Sequence, residues 1–512
     1  MPPHPDSPRP TYSHAQILRV ITGIMLCMLL AALDQTVVIP AVPAIAHGLR
    51  SYDHLSWIVT AYLLTSTAAT PIFGKLSDTY GRRALMTPAI AMFIVASVLC
   101  AVSQTLWQLI IARGLQGVGG AGLFAMTQAS IADVVSPRER GRYQGYLAGT
   151  WAVASIAGPV IGGYVTEGLS WRWIFWINVP LGLIAIFLCD RALRLLSVVP
   201  RRSRIDVMGA LLLTGSVTAL LLMLSWAGTT YALISAPVIL AALLGLLLLA
   251  ALALQETRAP DPLLPPRLFR NDIFLRGVSV AFFASAGLFV ATFLLPISFQ
   301  LVHGYGAEAS GLLVMPFLVA STAGAYLAGQ MARRMGKSKI ILLAGLGGAL
   351  LGFLLLSLNT ADTGVILIMV ESSILGTGIG MCMPTSIVVV QNAVAHHDMG
   401  SATGTLLLLR SIGGAFGSTV AGSLLTLRFR QSEHIAHLRH TIGFGALSQG
   451  ARALGRLSQR EHDIIRHGLA SGFALAYLVT AVLLVSAILI VTRLRDIALR
   501  SSGDQDGATI GH

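Results

Sequence analysis

The sequence predicts an all-α membrane protein with fourteen transmembrane helices, and composition, apolar run length and charge distribution are the observations behind that prediction. Of the 512 residues, 55% are hydrophobic and only 11% are charged. A soluble domain carries about 25% charged residues, so this chain has too few to cover a water-facing surface. Its apolar runs reach the length of about 20 residues that a membrane-spanning helix needs. They divide the chain into fourteen predicted helices.

The longest uncharged run illustrates this division. It extends from Val207 to Gln255 without an Asp, Glu, Lys or Arg. This is more than twice the length of one span, so we expect two helices joined near Gly228. The first apolar run of the chain is too long for a cleaved signal peptide, and no small-residue cleavage site follows it. We therefore expect it to remain in the protein as helix 1.

The net charge of +13 is distributed unevenly along the chain. If the N-terminus is cytoplasmic, 24 of the 35 Lys and Arg residues fall on that side, and only Arg50 and Arg172 occupy short loops on the other. The long segment from Arg428 to Arg466 holds seven more, but long loops weigh less in the positive-inside rule. Both termini are therefore predicted to be cytoplasmic. The basic charge is explained by topology beside a lipid bilayer, and no nucleic-acid partner is expected.

An internal repeat divides the chain into two related halves. Gly74 and Gly81 stand seven residues apart after predicted helix 2, and Gly329 and Gly336 stand seven apart after predicted helix 10. Each second glycine is followed directly by a cation. This repeat predicts two six-helix halves separated by two inserted helices. The proline-rich stretch at 258–271 cannot form a regular helix and is expected to be a linker.

The predicted organisation has six parts. These are a cytoplasmic tail at 1–15, a first half at 16–195, the inserted helices at 205–255, a cytoplasmic linker at 256–273, a second half at 274–494 with an extracytoplasmic loop at 428–468, and a cytoplasmic tail at 495–512.

Four motifs of the first half carry a family resemblance. They are LDQTVVIPAVP from Leu33, GKLSDTYGRR from Gly74, RGLQGVGG from Arg113, and GPVIGG from Gly158 with WRWIFWINVP from Trp171. With these motifs the chain resembles the major facilitator superfamily, and within it the fourteen-helix drug:proton antiporters of the EmrB/QacA type. The resemblance implies the major facilitator fold and export of drugs in exchange for protons. The second-half loop departs from the pattern, with Ala332 or Arg333 where an acid is expected.

The loop after predicted helix 2 is a candidate gate. Gly74 and Gly81 permit a tight turn and a close approach of helices. Asp78 can accept hydrogen bonds from a helix N-terminus or pair with Arg82 or Arg83. The resemblance implies that this loop is a latch between the halves on the cytoplasmic side. The alternative is a basic loop that only sets topology.

The motif in predicted helix 5 is a second candidate for conformational gating. Gly158, Gly162 and Gly163 predict a flat surface for close helix packing, and Pro159 predicts a slight kink. Small residues spaced in this way are also common at plain helix contacts. The full motif resembles the signature of exporters in the superfamily, which implies transport out of the cell.

Four ionisable residues within predicted helices need an explanation, because each is costly in a bilayer unless it is paired or hydrated. Asp34, Arg113 and Glu371 are predicted to share a depth, with Arg113 about 12 Å and Glu371 about 10 Å below the external ends of their helices. We predict that they form a proton- and substrate-coupling site in a cavity between the halves. Glu371 could instead reach water near its helix end. Arg410 could act, snorkel, or bond to backbone carbonyls.

The predicted function is a proton-coupled antiporter that exports lipophilic compounds, expected to be cationic, across the cytoplasmic (inner) membrane. A dedicated exporter of one endogenous metabolite, such as a siderophore or antibiotic, is an alternative within this class. An ion channel or a membrane receptor is an alternative from another class, but the sequence has neither a repeated filter loop nor a sizeable soluble domain. A periplasmic adaptor protein is an expected partner if the source has an outer membrane.

An enzyme is not expected, because the sequence has no nucleophile with a base and no Walker loop. No cofactor or metal is expected either. The histidines at 434, 437 and 440 are better explained by a solvated amphipathic segment than by a metal site. The four cysteines lie far apart in apolar stretches and are expected to be packing residues.

Overall fold

The computed structural model describes residues 14–51, 54–135, 137–194, 206–227, 231, 234–435 and 459–494. The predictions for the terminal tails, and for most of the loop at 428–468 with its histidine repeat, lie largely outside these residues.

In the described chain the regular structure is helical, apart from one isolated bridge between Ala227 and Tyr231. The helices are α1 (His14–Gly48), α2 (Trp57–Tyr80), α3 (Arg82–Val102), α4 (Leu106–Val134), α5 (Pro137–Gly168), α6 (Trp173–Trp176), α7 (Asn178–Leu193), α8 (Val207–Trp226), α9 (Ala236–Arg258), α10 (Pro266–Phe269), α11 (Asp272–Leu301), α12 (Ala307–Leu313), α13 (Met315–Met335), α14 (Ser338–Ser357), α15 (Val365–Asn392), α16 (Met399–Ile435) and α17 (Gln459–Thr492). A 3-10 turn at His396–Asp398 precedes α16.

The described helices correspond in order to the predicted ones. The pairs α6–α7 and α12–α13 each occupy one predicted helix, and α10 is a single turn within the predicted linker. Among the described residues, twelve helical segments are long and apolar enough to cross a membrane. The two other long segments are α2 and α16, which have 24 and 37 residues and are rich in Ser, Thr and Gly. Composition alone therefore accounts for twelve of the fourteen predicted spans.

Local chemistry sets several helix ends. The Thr105 hydroxyl accepts a hydrogen bond from the backbone N–H of Gln108, whose side chain in turn accepts from the Thr105 N–H, so a capping box begins α4. The Asn271 side chain accepts from two backbone N–H groups at the start of α11. Gly81 and Gly336 end α2 and α13 with φ values of 88° and 65°, in the region that favours glycine.

Two helical bundles form the protein, and the inserted helices lie along the seam between them. Buried apolar side chains of α1, α3, α4 and α7 fill the first bundle, and those of α11, α14, α15 and α17 fill the second. Leu213 of α8 packs in one cluster with Leu64 of α2 and Leu408 of α16. Thr419 of α16 also donates a hydrogen bond of 2.7 Å to the Leu224 carbonyl of α8. The inserted helices thus contact both bundles.

The linker is tied to both bundles by ion pairs. Asp261 pairs with Lys75 at the end of α2. Arg267 pairs with Asp398, just before α16, at 2.8 Å. The Asn271 amide donates to the Ala393 carbonyl at 2.8 Å. The linker therefore follows the same end of the molecule as the candidate gate.

Candidate functional site

A buried ion pair lies inside the first bundle. Arg113 of α4 donates to Asp34 of α1, with 2.6 Å between Nη1 and Oδ2, and the two side chains are 1% and 0% exposed. The Arg113 guanidinium lies over the ring of Tyr62, 4.4 Å from its centroid, and its Nε donates to the Ile58 carbonyl. Asp34 and Arg113, two of the three residues that the sequence placed at one depth, are therefore in direct contact.

Polar side chains from three further positions complete this ion pair. The amides of Gln116 and Asn178 each donate to Asp34 Oδ1 at 2.8 Å. Gln116 also donates to Ser97 at 2.7 Å. Both carboxylate oxygens are therefore satisfied by neighbouring donors, and the charges of Asp34 and Arg113 compensate each other inside the bundle.

The sequence analysis missed these supporting residues. Gln116 follows Arg113 by three positions on α4, so helical spacing could have indicated that their side chains are neighbours. Asn178 and Ser97 belong to α7 and α3, and no spacing connects them to Asp34. Only the packing of four helices brings these groups together.

The candidate gate joins the two bundles through Asp78. Its carboxylate accepts hydrogen bonds from the backbone N–H groups of Gly400 and Ser401, both at 2.8 Å, at the beginning of α16. It also pairs with Arg82 at 2.8 Å. An anion at a helix N-terminus is favourable, because the unpaired N–H groups point at it. We call this end of the molecule the latch end.

The two arginines of the loop make separate contacts. Arg82 pairs with Asp133 of α4 at 3.0 Å and also donates to Ser77. Arg83 pairs with Asp190 of α7 at 2.9 Å, and this contact is exposed. The buried Arg82 therefore holds the Asp78 side chain in place within the first bundle. Arg83 makes its ion pair at the surface, where such pairs add little stability.

We expect Asp78→Asn to open the latch end. Hydrogen bonds to a charged group contribute about 1.5–3 kcal/mol, so the ratio of closed to open molecules should fall about 10- to 150-fold. Spin labels at the exposed positions Tyr80 and Arg270 would report the change as a longer distance between the bundles. Asp272→Asn is a matched control, because Asp272 pairs within α11 with Arg276. An unchanged distance distribution in Asp78→Asn would contradict the assignment.

Glycines of the repeat make the closest contacts between the bundles. A Cβ on Gly74 would overlap the backbone carbonyl of Gly400, and a Cβ on Gly329 would lie 2.5 Å from the carbonyl oxygen of Gly141. The first glycine of each repeated loop thus meets a glycine of the other bundle. The second glycines, Gly81 and Gly336, make the turns.

Glu371 lies apart from the ion pair, within the second bundle. Its side chain is buried, and its Oε2 accepts a hydrogen bond of 2.6 Å from Asn359 at the end of α14. Asn359 also lines a small cavity of about 30 Å³ with His303 and Tyr477. Burial and the nearby Arg466 lower the pKa of His303, which is therefore neutral at pH 7. The predicted cavity with Asp34 on one wall and Glu371 on the other does not correspond to these contacts, since each carboxylate faces partners in its own bundle.

Comparison with known proteins identifies the family. The sequence profile of the Major Facilitator Superfamily matches residues 24–204 and 195–418. The chain belongs to the major facilitator superfamily. It is 34% identical over 418 residues to the multidrug transporter protein MdtP of Bacillus subtilis, covering 80% of this chain and 75% of MdtP. It is 37% identical over 410 residues to an uncharacterized MFS-type transporter of Mycobacterium tuberculosis, covering 79% of this chain but only 59% of that relative.

Solved structures agree with this family at the level of the fold. The proton:xylose symporter XylE superposes with a TM-score of 0.64 at 14% sequence identity, covering 97% of this chain and all of XylE. The chain therefore has the fold of this superfamily.

In this major facilitator protein, the motif of α5 packs on α1. A Cβ on Gly158 would overlap the Thr36 side chain, and one on Gly162 would lie 2.5 Å from the Val37 carbonyl oxygen. Gly163 has open space around it, and Pro159 is exposed. The first two glycines thus serve helix contact within the first bundle, while Gly163 has no packing requirement.

A layer of buried glutamines, also missed by the sequence analysis, crosses between the bundles near the latch end. Gln144 of α5 donates to Gln128 of α4 at 2.7 Å. Gln391 of α15 donates to the Gln128 carbonyl at 3.3 Å and to Thr403 of α16 at 3.1 Å. Uncharged amides carry no sequence signal for a gate. Their contacts between the bundles become visible only in three dimensions.

Proposed function

We propose that this protein is a proton-coupled secondary transporter that exports lipophilic small molecules by alternate opening of its two bundles. The observation that supports proton coupling is the Asp34–Arg113 ion pair, which is buried in a helical bundle of a membrane protein. Ionisable groups at such depth are costly and are usually functional. Exchange requires that proton and substrate binding oppose each other, and a carboxylate whose partners move with conformation meets this requirement. The name of the B. subtilis relative supports drugs as substrates.

The proposed topology has fourteen spans, with both termini in the cytoplasm and the linker on the cytoplasmic face. Two features support it. The helices α2 and α16 pack against each other through polar and small residues, which explains their low hydropathy, and both are long enough to span. The latch end also carries Lys75, Arg82 and Arg267, as expected for a cytoplasmic face. The conformation is then closed to the cytoplasm.

Export of one endogenous metabolite remains an alternative, which competition between a drug panel and extracts of the source cells would distinguish. A preference for cations receives no support from Asp34, since Arg113 neutralises its charge. The adaptor protein stays a prediction, to be checked by co-purification.

The energy source is tested by transport in membrane vesicles. Extrusion of a lipophilic dye should collapse when a protonophore removes the pH gradient, because proton entry drives export. It should persist when ATP is depleted while the gradient is clamped. Vesicles without the protein provide the control for passive leak. Extrusion that continues without a gradient would refute proton-coupled antiport.

A further inference from the structure

Arg410 lies on the face of α16 that meets α15, near the middle of the proposed membrane. It follows Thr403 of the glutamine layer by seven residues, which is two helical turns on the same face of α16. It is eleven residues from the start of α16 at Met399, or about 16 Å from the latch end. Arg410 is therefore placed two turns beyond the glutamine layer, beside α15.

The partners of Arg410 leave its charge uncompensated. Its Nη2 donates to the Met383 carbonyl and, at 2.9 Å, to the hydroxyl of Ser386, and both acceptors are neutral. Its Nε is buried and has no hydrogen-bond partner among the described residues. Arg113, which is more deeply buried, has a carboxylate within 2.6 Å. A guanidinium inside a membrane protein is costly without an anion, so a site that retains one with spare donor capacity suits an anionic ligand.

The first bundle presents aromatic side chains at the same level. Phe124 precedes Gln128 by one turn of α4, and Trp151 follows Gln144 by two turns of α5, so both lie beyond the glutamine layer. Their rings are 5.7 Å apart and half-buried. Phe124 is ten residues, or about 15 Å, from the latch end of α4. An aromatic wall therefore lies at the depth of Arg410.

We propose that Arg410 on one side, and Phe124 and Trp151 on the other, form the substrate site, and that it favours planar aromatic compounds carrying a carboxylate. This inference rests on the proposed export function and specifies its substrate class. The rings provide apolar contact for the planar part, and the free donors of Arg410 bind the carboxylate. The geometry thus points to the opposite charge from the cationic substrates that the sequence suggested.

Binding of three matched compounds to the purified protein in nanodiscs tests the proposal. They are 2-naphthoate, neutral 2-naphthamide and cationic 2-naphthylmethylammonium, which share the ring system and differ in charge. The wild type should bind naphthoate at least tenfold more tightly than the other two. Arg410→Gln should weaken naphthoate binding about 10- to 150-fold, as expected for loss of a charge-assisted hydrogen bond, and leave the amide within about threefold. Trp151→Ala should weaken all three compounds alike.

Controls separate this proposal from a general loss of structure. Arg276→Gln removes a cation that pairs with Asp272 within α11, and should leave naphthoate affinity unchanged. Arg410→Lys keeps the charge and should retain part of the affinity. The affinities of the wild type for the three compounds test the preference for a carboxylate even if Arg410→Gln fails to fold. Equal wild-type affinities, or unchanged naphthoate binding in a folded Arg410→Gln variant, would overturn the proposal.

Transport assays distinguish failure of this inference from failure of the proposed function. If proteoliposomes expel the ammonium compound in a gradient-dependent way but ignore naphthoate, the export function stands and the anionic site is wrong. If they move neither these compounds nor a lipophilic dye under a pH gradient, the proposed function itself fails.

Discussion

Asp34→Asn is expected to abolish proton-driven accumulation and also to destabilise the protein strongly. The sequence alone placed Asp34 at the depth of Arg113 without showing a contact between them. The structure pairs it with a buried Arg113, so the substitution leaves that guanidinium uncompensated. Removing one partner of a buried ion pair typically costs about 3–5 kcal/mol. Thermal unfolding of the purified variant should therefore shift to clearly lower temperature.

The double variant Asp34→Asn/Arg113→Gln separates coupling from stability. It removes both charges and keeps amides that Gln116 and Asn178 can still contact, so most of the lost stability should return. Counterflow at equal pH should persist, while uphill export under a pH gradient and the pH dependence of substrate binding should disappear. If this variant still exports substrate uphill with the wild-type pH profile, the proton site lies elsewhere and Glu371 is the next candidate.

The second large effect is expected from Gly74→Ala and Gly329→Ala, which should open the latch end. Each new methyl group would collide with backbone of the other bundle, at Gly400 or Gly141, and no side-chain rotation can relieve that contact. Overpacking of this kind costs about 1–3 kcal/mol, so each variant should reduce the closed fraction about 5- to 150-fold. The label pair at Tyr80 and Arg270 would measure the opening, and export should fall in parallel.

Gly163→Ala is the matched control for these variants. Gly163 lies in the α5 motif, but a Cβ there meets no atom within 4 Å. Alanine favours helix over glycine by about 1 kcal/mol at all three positions, so intrinsic propensity would stabilise each variant. Only the contact between the bundles predicts that Gly74→Ala and Gly329→Ala destabilise the closed state. Closed-state populations that match those of Gly163→Ala would show that these glycines do not control the gate.

Much of the gate could be predicted from local sequence. The predicted loop from Gly74 to Arg83 contains the turn glycine, the acid and the cations that the structure uses, although the structure confines the turn to Gly81 and continues α2 through Tyr80. Its second-half counterpart has Arg333 in place of the acid, and the contact described there is between glycine backbones. The donor at the other end of this contact, the backbone N–H of Ser401, could not be predicted, because it is more than 300 residues away from Asp78.

The sequence by itself determined the membrane class, the order of the helices and the residues that are costly in a bilayer. These follow from composition and from the length of apolar runs, which depend only on neighbouring residues. Only the tertiary structure decided which costly residues have a partner of opposite charge: Asp34 has Arg113, whereas Glu371 and Arg410 are bonded to neutral groups. Helical spacing gives the depth of a side chain but not the neighbour it faces. The sign of charge available to a substrate depends on that pairing, because a paired ion presents no net charge to a ligand.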